Sequence, residues 1–240
     1  MKIGLIGSGA IGSYLKEKIS EDSSLELVGI FDIDKTKTTV NSIDELLEKK
    51  PDLVIEAAGS EAVKEFSEKV LSKTNFLIMS VSALAEKEVE EKIENLCKEY
   101  GTKIFFPIGA ILGLDGIRGV KEQLESVEIE TRKNPRGFGR EDKEETILFN
   151  GNARKACKEY PKNVNVSATL SLNGIGFDKT KVRIVSDPSV QANTHTITAK
   201  GSFGKFTIKV EAAPSKNPKT SSIAGISTFQ IIKEIANNRM

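Results

Sequence analysis

A glycine-rich turn near the start of the chain constrains the fold more than any other feature of the sequence. The run "KIGLIG" is almost continuously apolar, which is typical of a parallel strand covered on both faces. It leads directly into the stretch "GSGAIG" at 7–12. The residues that follow place Ile11, Leu15 and Ile19 at helical spacing. The pattern therefore predicts a strand, a tight turn and a helix in immediate succession.

Each glycine of this turn meets a separate requirement of a dinucleotide site. Gly7 allows the tight turn, Gly9 lets the backbone approach a pyrophosphate, and Gly12 lets the helix pack closely on the strand. The helix is expected to begin at Ala10 and Ile11, where N–H groups and the positive end of the helix dipole favour phosphate. A glycine turn can also be purely structural, so the residues beyond it decide the interpretation.

An acidic residue at the end of the second strand supports the dinucleotide interpretation. The run "LELVGIFD" ends at Asp32, about 20 residues beyond the last glycine of the turn. A carboxylate at this position accepts hydrogen bonds from the adenosine ribose hydroxyls and repels a 2′-phosphate, which favours NAD over NADP. Asp34 is a second candidate for the ribose, and Lys35 beside it would weaken the discrimination. NADP therefore stays an alternative coenzyme.

Strands and helices continue to alternate up to about residue 110. This alternation predicts an α/β fold, with a Rossmann-type doubly wound parallel sheet as a dinucleotide-binding domain over 1–110. Ligands of such sheets bind at the carboxyl ends of the strands. Small residues, which let a cofactor lie against the backbone, fall at these ends: Ala57, Ala58, Gly59, Ser80, Ser82, Gly109 and Ala110. Ordinary turn chemistry explains any one of them equally well.

The sequence pattern changes after residue 110. Short strand-like runs, among them "LESVEIETRKNP", "NVNVSATLSL" and "HTITAKGSFG", predict a second, smaller α+β sheet domain over 111–218. We expect this domain to carry the substrate site and to form a homodimer through an exposed apolar face of its sheet. The final segment, 219–240, has the periodicity of a helix and is expected to pack back on the first domain.

Composition excludes several classes of partner. Lys and Arg number 35 against 34 Asp and Glu, which gives no bulk attraction to nucleic acid or to anionic membranes. No apolar run approaches the roughly 20 residues of a membrane span, and we predict a cytoplasmic protein. The two cysteines and the one histidine lack the spacing of metal ligands, so no metal site is expected.

Several stretches of the chain resemble the L-aspartate dehydrogenases of the short archaeal and bacterial type. The most specific are "FFPIGAILGLDGI", "PKNVNVSATLSL", "NTHTI" and "NPKTSS", and together with "GSGAIG" and "IEAAGSEAVKEF" they span nearly the whole chain. The resemblance implies NAD(P)-dependent oxidation of L-aspartate to iminoaspartate. This product either hydrolyses to oxaloacetate and ammonia or enters NAD biosynthesis through quinolinate.

The resemblance also implies roles for individual residues. It matches the catalytic histidine of the family to His195, and the nicotinamide-side contacts to the backbone N–H of Ala110 and to Asn165. Ser82 stands where glycine is frequent in the family, and Leu112 where a smaller residue is usual. These two departures concern the shape of local loops rather than the chemistry.

The single histidine fits the chemistry that this activity demands. Oxidation at an amino carbon requires an unprotonated amine, and a group that titrates near neutrality can accept the proton. His195 is the one imidazole in the chain, although a lone histidine can also be a structural residue. Asn193 precedes it by two residues, so on a strand both side chains face the same side, and we predict that Asn193 contacts the substrate.

The two carboxylates of aspartate need cationic or N–H partners once they are removed from water. The stretch "NPKTSS" offers an ammonium, two hydroxyls and the start of a predicted helix at Lys219, Thr220 and Ser221. We predict that this cluster binds one carboxylate. The alternative is that it only caps the helix.

Two other functions remain open from the sequence. One is another two-domain NAD(P)-dependent reductase, similar to dihydrodipicolinate reductase or homoserine dehydrogenase, because such enzymes differ mainly in the second domain. The other is a non-catalytic sensor that binds NAD(H) without turnover. The chain lacks a basic DNA-binding segment, which counts against the usual form of such a sensor.

Overall fold

The structure is a computed structural model that describes residues 1–161, 163–213 and 222–238. Within these ranges no helix is both long enough and apolar enough to cross a bilayer.

The chain divides into two compact units, the first formed by Met1–Pro107 with the residues from Gly225 onward, and the second by Ile108–Ala224. Their strands and helices are β1 Lys2–Ile6, α1 Ala10–Glu21, β2 Glu26–Phe31, α2 Ile43–Glu48, β3 Leu53–Glu56, α3 Ser60–Leu71, β4 Asn75–Ile78, α4 Lys87–Tyr100, β5 Ile104–Phe105, α5 Leu114–Gly119, β6 Leu124–Lys133, β7 Thr146–Asn152, α6 Ala153–Glu159, α7 Asn165–Asn173, β8 Lys181–Ser186, β9 Asn193–Gly201, β10 Gly204–Ala212 and α8 Ser222–Ala236.

The first unit is built on a five-stranded sheet with the order β2-β1-β3-β4-β5. All neighbouring strands in it run parallel. The chain moves from β1 to β2 on one side and then crosses back to β3 on the other, which opens a crevice at the carboxyl ends of β1 and β3. The predicted Rossmann-type parallel sheet is confirmed.

The C-terminal helix α8 contributes to the core of the first unit. Its residues Ile231 and Ile232 are buried in the same apolar cluster as Ile3 and Leu5 of β1. At the start of the helix, a Cβ on Gly225 would lie 2.8 Å from the ring of Tyr14 on α1. This close approach explains why a glycine stands there.

The second unit is built on a five-stranded mixed sheet with the order β10-β9-β6-β8-β7. Strands β6 and β8 run parallel, and every other pair is antiparallel. Residues on β6 alternate: Val127 and Ile129 are fully buried, whereas Glu128 is exposed. One face of the sheet is therefore covered and the other is open to solvent. The predicted second α+β domain is confirmed.

One predicted strand is wrong. The stretch "NVNVSATLSL" alternates in polarity, but residues 165–173 form helix α7. The serines and threonine between the apolar residues are buried too, so the alternation does not mark an exposed face. Ser171 donates its hydroxyl to the carbonyl of Ser167 at 2.8 Å, which satisfies a polar group inside the helix.

Candidate active site

The turn between β1 and α1 has the geometry of a dinucleotide site. Gly7 has a φ of +91°, and a Cβ there would lie 2.8 Å from the carbonyl carbon of Ala57. A Cβ on Gly12 would overlap the carbonyl oxygen of Gly7, so only glycine lets α1 pack this closely. Apart from Gly9 and its two chain neighbours, no described residue has an atom within 4 Å of the place that a Cβ on Gly9 would take. Open space therefore adjoins the backbone where a pyrophosphate would lie.

The amino end of α1 has no side-chain cap. The helix begins at Ala10 and continues through Ile11, directly after Gly9, which has no side chain to accept a hydrogen bond. Its first turn also contains no acidic residue. The N–H groups and the positive dipole end thus remain suited to an anion, and the turn fits the phosphates of a nicotinamide dinucleotide.

Asp32 lies beside this turn, immediately after β2. Its Oδ2 accepts a hydrogen bond from the backbone N–H of Ser8 at 2.5 Å, and its Oδ1 accepts one from Asp34 at 2.8 Å. The carboxylate of Asp34 is engaged elsewhere, with the hydroxyl of Thr36 at 2.7 Å and with Lys37 at 3.0 Å. Of the two acidic candidates, Asp32 is therefore the one held against the glycine turn.

Glu56, which sequence reasoning missed, joins the loops that follow β3 and β4. This fully buried carboxylate accepts the N–H groups of Ala58 and Gly59 at 2.7 Å each, and both the N–H and the hydroxyl of Ser80 at 2.9 Å. Burial raises the pKa of Glu56, and the hydrogen bonds oppose that rise. Two of the predicted small residues, Ala58 and Ser80, are thus held in place by one side chain. The feature of the sequence that could have identified Glu56 is its position as an acidic residue at the end of the apolar strand "LVIE".

The second unit contains both residues that the resemblance assigns to the nicotinamide side. Ala110 is buried, and Asn165 is the first residue of α7. Gly109, next to Ala110, has a φ of +68°, and a Cβ there would lie 3.6 Å from the side chain of Val166. The two candidates consequently lie at neighbouring points of this unit.

The covered face of the second sheet changes from apolar to polar along its strands. On β6, Val127 and Ile129 are followed on the same face by Thr131 and Lys133, and β9 shows the same change towards His195. Thr131 pairs with His195 in the register of the two strands. We name the following five residues the polar cluster: Thr131, Lys133, Asn163, Asn193 and His195.

His195 is buried within the polar cluster, with 3% of its surface exposed. Its Nδ1 lies 3.0 Å from the hydroxyl of Thr131, the one hydrogen bond that the imidazole makes to the described part of the chain. Burial, and then the nearby charge of Lys133, lower the pKa of His195 to about 3. The imidazole is therefore neutral at pH 7, and its Nε2 makes no hydrogen bond to the described residues.

Lys133 is a second residue that sequence reasoning missed. Its Nζ donates to the side-chain oxygen of Asn163 at 3.3 Å and lies 5.7 Å from the ring centre of Phe138. Only 5% of its surface is exposed, and burial lowers its pKa to about 8. Its position two residues after Thr131, on a strand that alternates apolar and charged residues, was the available signal.

The predicted substrate residues divide between the described and the undescribed parts of the chain. Asn193 lies on β9, two residues before His195 on the covered face, with 8% of its surface exposed. Lys219, Thr220 and Ser221 lie outside the described residues, so their role stays a prediction.

These two constellations, a glycine turn with its acidic residue and a buried imidazole on a mixed sheet, define a class: the two-domain dehydrogenases that use a nicotinamide dinucleotide. Residues 7–107 match the family model of the homoserine dehydrogenase NAD binding domain. Residues 115–235 match the model of the aspartate dehydrogenase C-terminal domain. The chain belongs to the L-aspartate dehydrogenase family.

Relatives match this chain over nearly their whole length. The L-aspartate dehydrogenase of Methanococcoides burtonii is 39% identical over 99% of this chain and 97% of its own, and that of Archaeoglobus fulgidus is 38% identical over 98% of both. The crystal structure of aspartate dehydrogenase from Thermotoga maritima is 30% identical, with a TM-score of 0.78 over 100% of this chain and 97% of that chain.

More distant structures share the fold alone. A hyperthermophilic archaeal homoserine dehydrogenase in complex with NADPH is 15% identical, with a TM-score of 0.61 over 100% of this chain and 98% of that one. Because the relatives with higher identity are L-aspartate dehydrogenases, the comparisons do not favour another two-domain reductase or a non-catalytic sensor.

Proposed function

We propose that this protein is an NAD(P)-dependent L-aspartate dehydrogenase that oxidises L-aspartate to iminoaspartate. The observation that carries the proposal is the 39% identity to an L-aspartate dehydrogenase over 99% of this chain. The only histidine of the sequence is, in addition, buried in a polar cluster. The product then hydrolyses to oxaloacetate and ammonia or supplies quinolinate for NAD biosynthesis.

The chemistry requires one proton and one hydride to leave the substrate. The ammonium group of L-aspartate loses a proton to Nε2 of His195, which is neutral at pH 7. The lowered pKa of about 3 makes the imidazole a weak base in the free protein, so the negative charge of the bound substrate must raise that pKa for the transfer. The lone pair of the resulting amine forms the C=N bond as the hydride leaves the α carbon. The bound coenzyme supplies the hydride acceptor. The hydroxyl of Thr131 fixes the orientation of the imidazole through Nδ1.

We infer that the first unit binds NAD in preference to NADP. The carboxylate of Asp32, held against the turn by Ser8, would accept the ribose hydroxyls and repel a 2′-phosphate. The uncapped helix and the open space at Gly9 would receive the pyrophosphate. The proposed cofactor contacts are Gly7, Gly9, Ala10, Ile11, Gly12, Asp32, Ala57, Ala58, Ser80, Ala110 and Asn165.

We also propose that the enzyme works on its small substrate in the cytoplasm as a homodimer. The sequence predicts an apolar face for this contact, but the open face of the second sheet carries mostly charged and threonine side chains, such as Glu128, Thr196 and Thr207. A dimer through this face would therefore be polar. Light scattering would detect it as twice the chain mass of 26.2 kDa.

The test is turnover by the full-length protein with L-aspartate and either NAD or NADP, followed by the absorbance of the reduced nicotinamide. We expect a higher kcat/KM with NAD. The substitution His195→Ala should lower kcat by about 10²- to 10⁴-fold, the usual contribution of a general base, and leave NAD affinity nearly unchanged. Thr196→Ala, on the opposite face of β9, is the matched control and should retain activity.

Two results would contradict the proposal. Absence of coenzyme reduction with L-aspartate in the wild-type protein would remove the proposed activity. Full activity in His195→Ala would leave the activity intact but remove the imidazole as its base.

A further inference from the structure

Lys133 carries a buried charge that the described residues leave uncompensated. In the described ranges its Nζ has one hydrogen-bond partner, the neutral amide oxygen of Asn163 at 3.3 Å, and one aromatic neighbour, Phe138. No carboxylate in the described ranges forms an ion pair with it, and burial alone accounts for its lowered pKa. Residues 162, 214–221 and 239–240, which lie outside the described ranges, contain no Asp or Glu side chain that could supply such a partner.

The acidic residues at this end of the sheet are engaged on the opposite face. Arg132, the sequence neighbour of Lys133, contacts Asp187 at 2.6 Å, Glu145 at 2.5 Å and Glu130 at 3.1 Å. Successive side chains of a strand point to opposite faces, so the sheet separates Lys133 from these carboxylates. Within the part of the chain that the structure describes, Arg132 thus has three carboxylate partners and Lys133 has none.

A buried ammonium without an anion is unfavourable, and one neutral amide compensates only part of the lost hydration. A lysine with a purely structural role would be expected to have a carboxylate partner or to keep its ammonium in water. The missing partner can instead arrive with a ligand. L-aspartate carries two carboxylates, and a carboxylate binds well to an ammonium with polar side chains around it.

We propose that Lys133 binds one carboxylate of L-aspartate and so holds the amino carbon beside His195, an inference that rests on the proposed function. Both residues lie on the covered face of adjacent strands, since Thr131, two residues before Lys133, pairs with His195 in register. Asn193 lies on the same face of β9 and offers amide hydrogens to the same ligand. The polar cluster then contains a cation for the substrate next to the base for its amine.

The repulsion between the ammonium of Lys133 and the protonated form of His195 supports this assignment. The charge of Lys133 adds to burial in lowering the pKa of the imidazole. A carboxylate placed on Lys133 would offset that charge and make the imidazole a better proton acceptor. Substrate binding and base strength would thus be coupled through one side chain.

The direct test is Lys133→Met in the full-length enzyme, with kinetics measured for L-aspartate and for NAD separately. We expect kcat/KM for L-aspartate to fall about 100-fold, chiefly through KM, and KM for NAD to stay within about twofold. Lys133→Arg, which keeps the charge, should recover part of the loss. Lys181→Met removes an exposed lysine from β8 of the same sheet and is the matched control.

Binding without turnover separates the roles of Lys133 and His195. Oxaloacetate is titrated into each NADH-loaded variant in the absence of ammonia, and the change in NADH fluorescence is followed. His195→Ala should bind oxaloacetate within about threefold of the wild type, whereas Lys133→Met should bind it at least about 30-fold more weakly. Thermal unfolding of Lys133→Met should occur at an unchanged or higher temperature, because a methionine in place of an unpaired buried charge does not destabilise.

The outcomes distinguish this inference from the proposed function. If the wild type oxidises L-aspartate and Lys133→Met keeps both its KM and its affinity for oxaloacetate, Lys133 does not bind the substrate. If the variant unfolds at a lower temperature with unchanged KM, Lys133 is structural. If the wild type does not oxidise L-aspartate at all, the proposed function fails and this inference fails with it.

Discussion

Each unit of this protein buries a charged side chain, and the two are treated in opposite ways. In the first unit Glu56 accepts four hydrogen bonds from its own chain. In the second unit Lys133 has, among the described residues, a single hydrogen-bond partner, the neutral amide of Asn163. A buried ionisable group with all its partners supplied by the chain acts on the fold, whereas one without them is ready for a ligand. By this criterion Glu56 fixes the shape of a site, whereas Lys133 is suited to bind the ligand itself.

The largest effect is expected from Glu56→Ala, which leaves the donors of Ala58, Gly59 and Ser80 without an acceptor. We expect a loss of about 3–5 kcal/mol in the free energy of unfolding, together with weaker NAD binding, because the loops after β3 and β4 lose their common anchor. Urea unfolding followed by circular dichroism measures the first effect, and NADH fluorescence measures the second.

Lys133→Met is the counterpart for this comparison, since it should not destabilise the protein. Glu56→Gln should fall between the wild type and Glu56→Ala, because an amide oxygen still accepts some of the hydrogen bonds. Equal destabilisation by Glu56→Ala and Lys133→Met would show that both charges are structural and would abolish the distinction between the two units.

A smaller effect on the free energy of unfolding is expected from a change in pH. The folded protein keeps His195 unprotonated down to about pH 3, whereas in the unfolded chain the imidazole binds a proton below its ordinary pKa of 6.5. The unfolded state therefore binds more protons between these values, and the free energy of unfolding decreases as pH falls through this range. Lowering the pH from about 6.5 to about 5 should cost about 2 kcal/mol through this residue alone.

The variant His195→Gln isolates this contribution, because other groups also titrate at acid pH. Urea unfolding at both pH values should show a loss in the wild type that exceeds the loss in His195→Gln by about 2 kcal/mol. The same loss in both proteins would mean that the imidazole takes up its proton in the folded state and is not sealed from water. Lys133, with a pKa of about 8, stays protonated throughout this range.

The smallest effect is expected from Asp32→Ala, a case between Glu56 and Lys133. The chain supplies two partners to this carboxylate, and the partly buried side chain can still accept a ribose hydroxyl. We expect the affinity for NAD to fall about tenfold, or about 1.4 kcal/mol, and the relative use of NADP to improve. An unchanged coenzyme preference would show that Asp32 holds the turn only, as Glu56 holds its loops.

The first unit was more predictable from sequence than the second. The glycine turn and Asp32 follow one another within about 30 residues, and each has a local reason that can be read from residue type and spacing. Glu56 escaped because its partners, Ala58 and Ser80, come from two loops that meet only in the folded sheet. Local patterns identify the elements of a site, whereas long-range contacts must be observed.

The polar cluster shows the same limit more strongly. His195 was identified from the chemistry and the resemblance, but its partner Thr131 lies 64 residues away in the chain and reaches it through strand register. Residue type alone does not mark Lys133, because a lysine in "TRKNP" is ordinarily solvated. Helix α7 was misread because its buried serines and threonine imitate the alternation of a strand.

Four residues of the polar cluster, all except Asn163, lie on internal strands, and this has one further consequence. β6 and β9 each have hydrogen-bonded neighbours on both sides, so the backbone beneath Thr131, Lys133 and His195 is fixed by two ladders. A ligand that binds here meets buried side chains on a fixed backbone. Little conformational entropy is therefore lost when these side chains bind it. Rigid mimics of the substrate should therefore gain affinity from their own stiffness alone, without any adjustment by the protein.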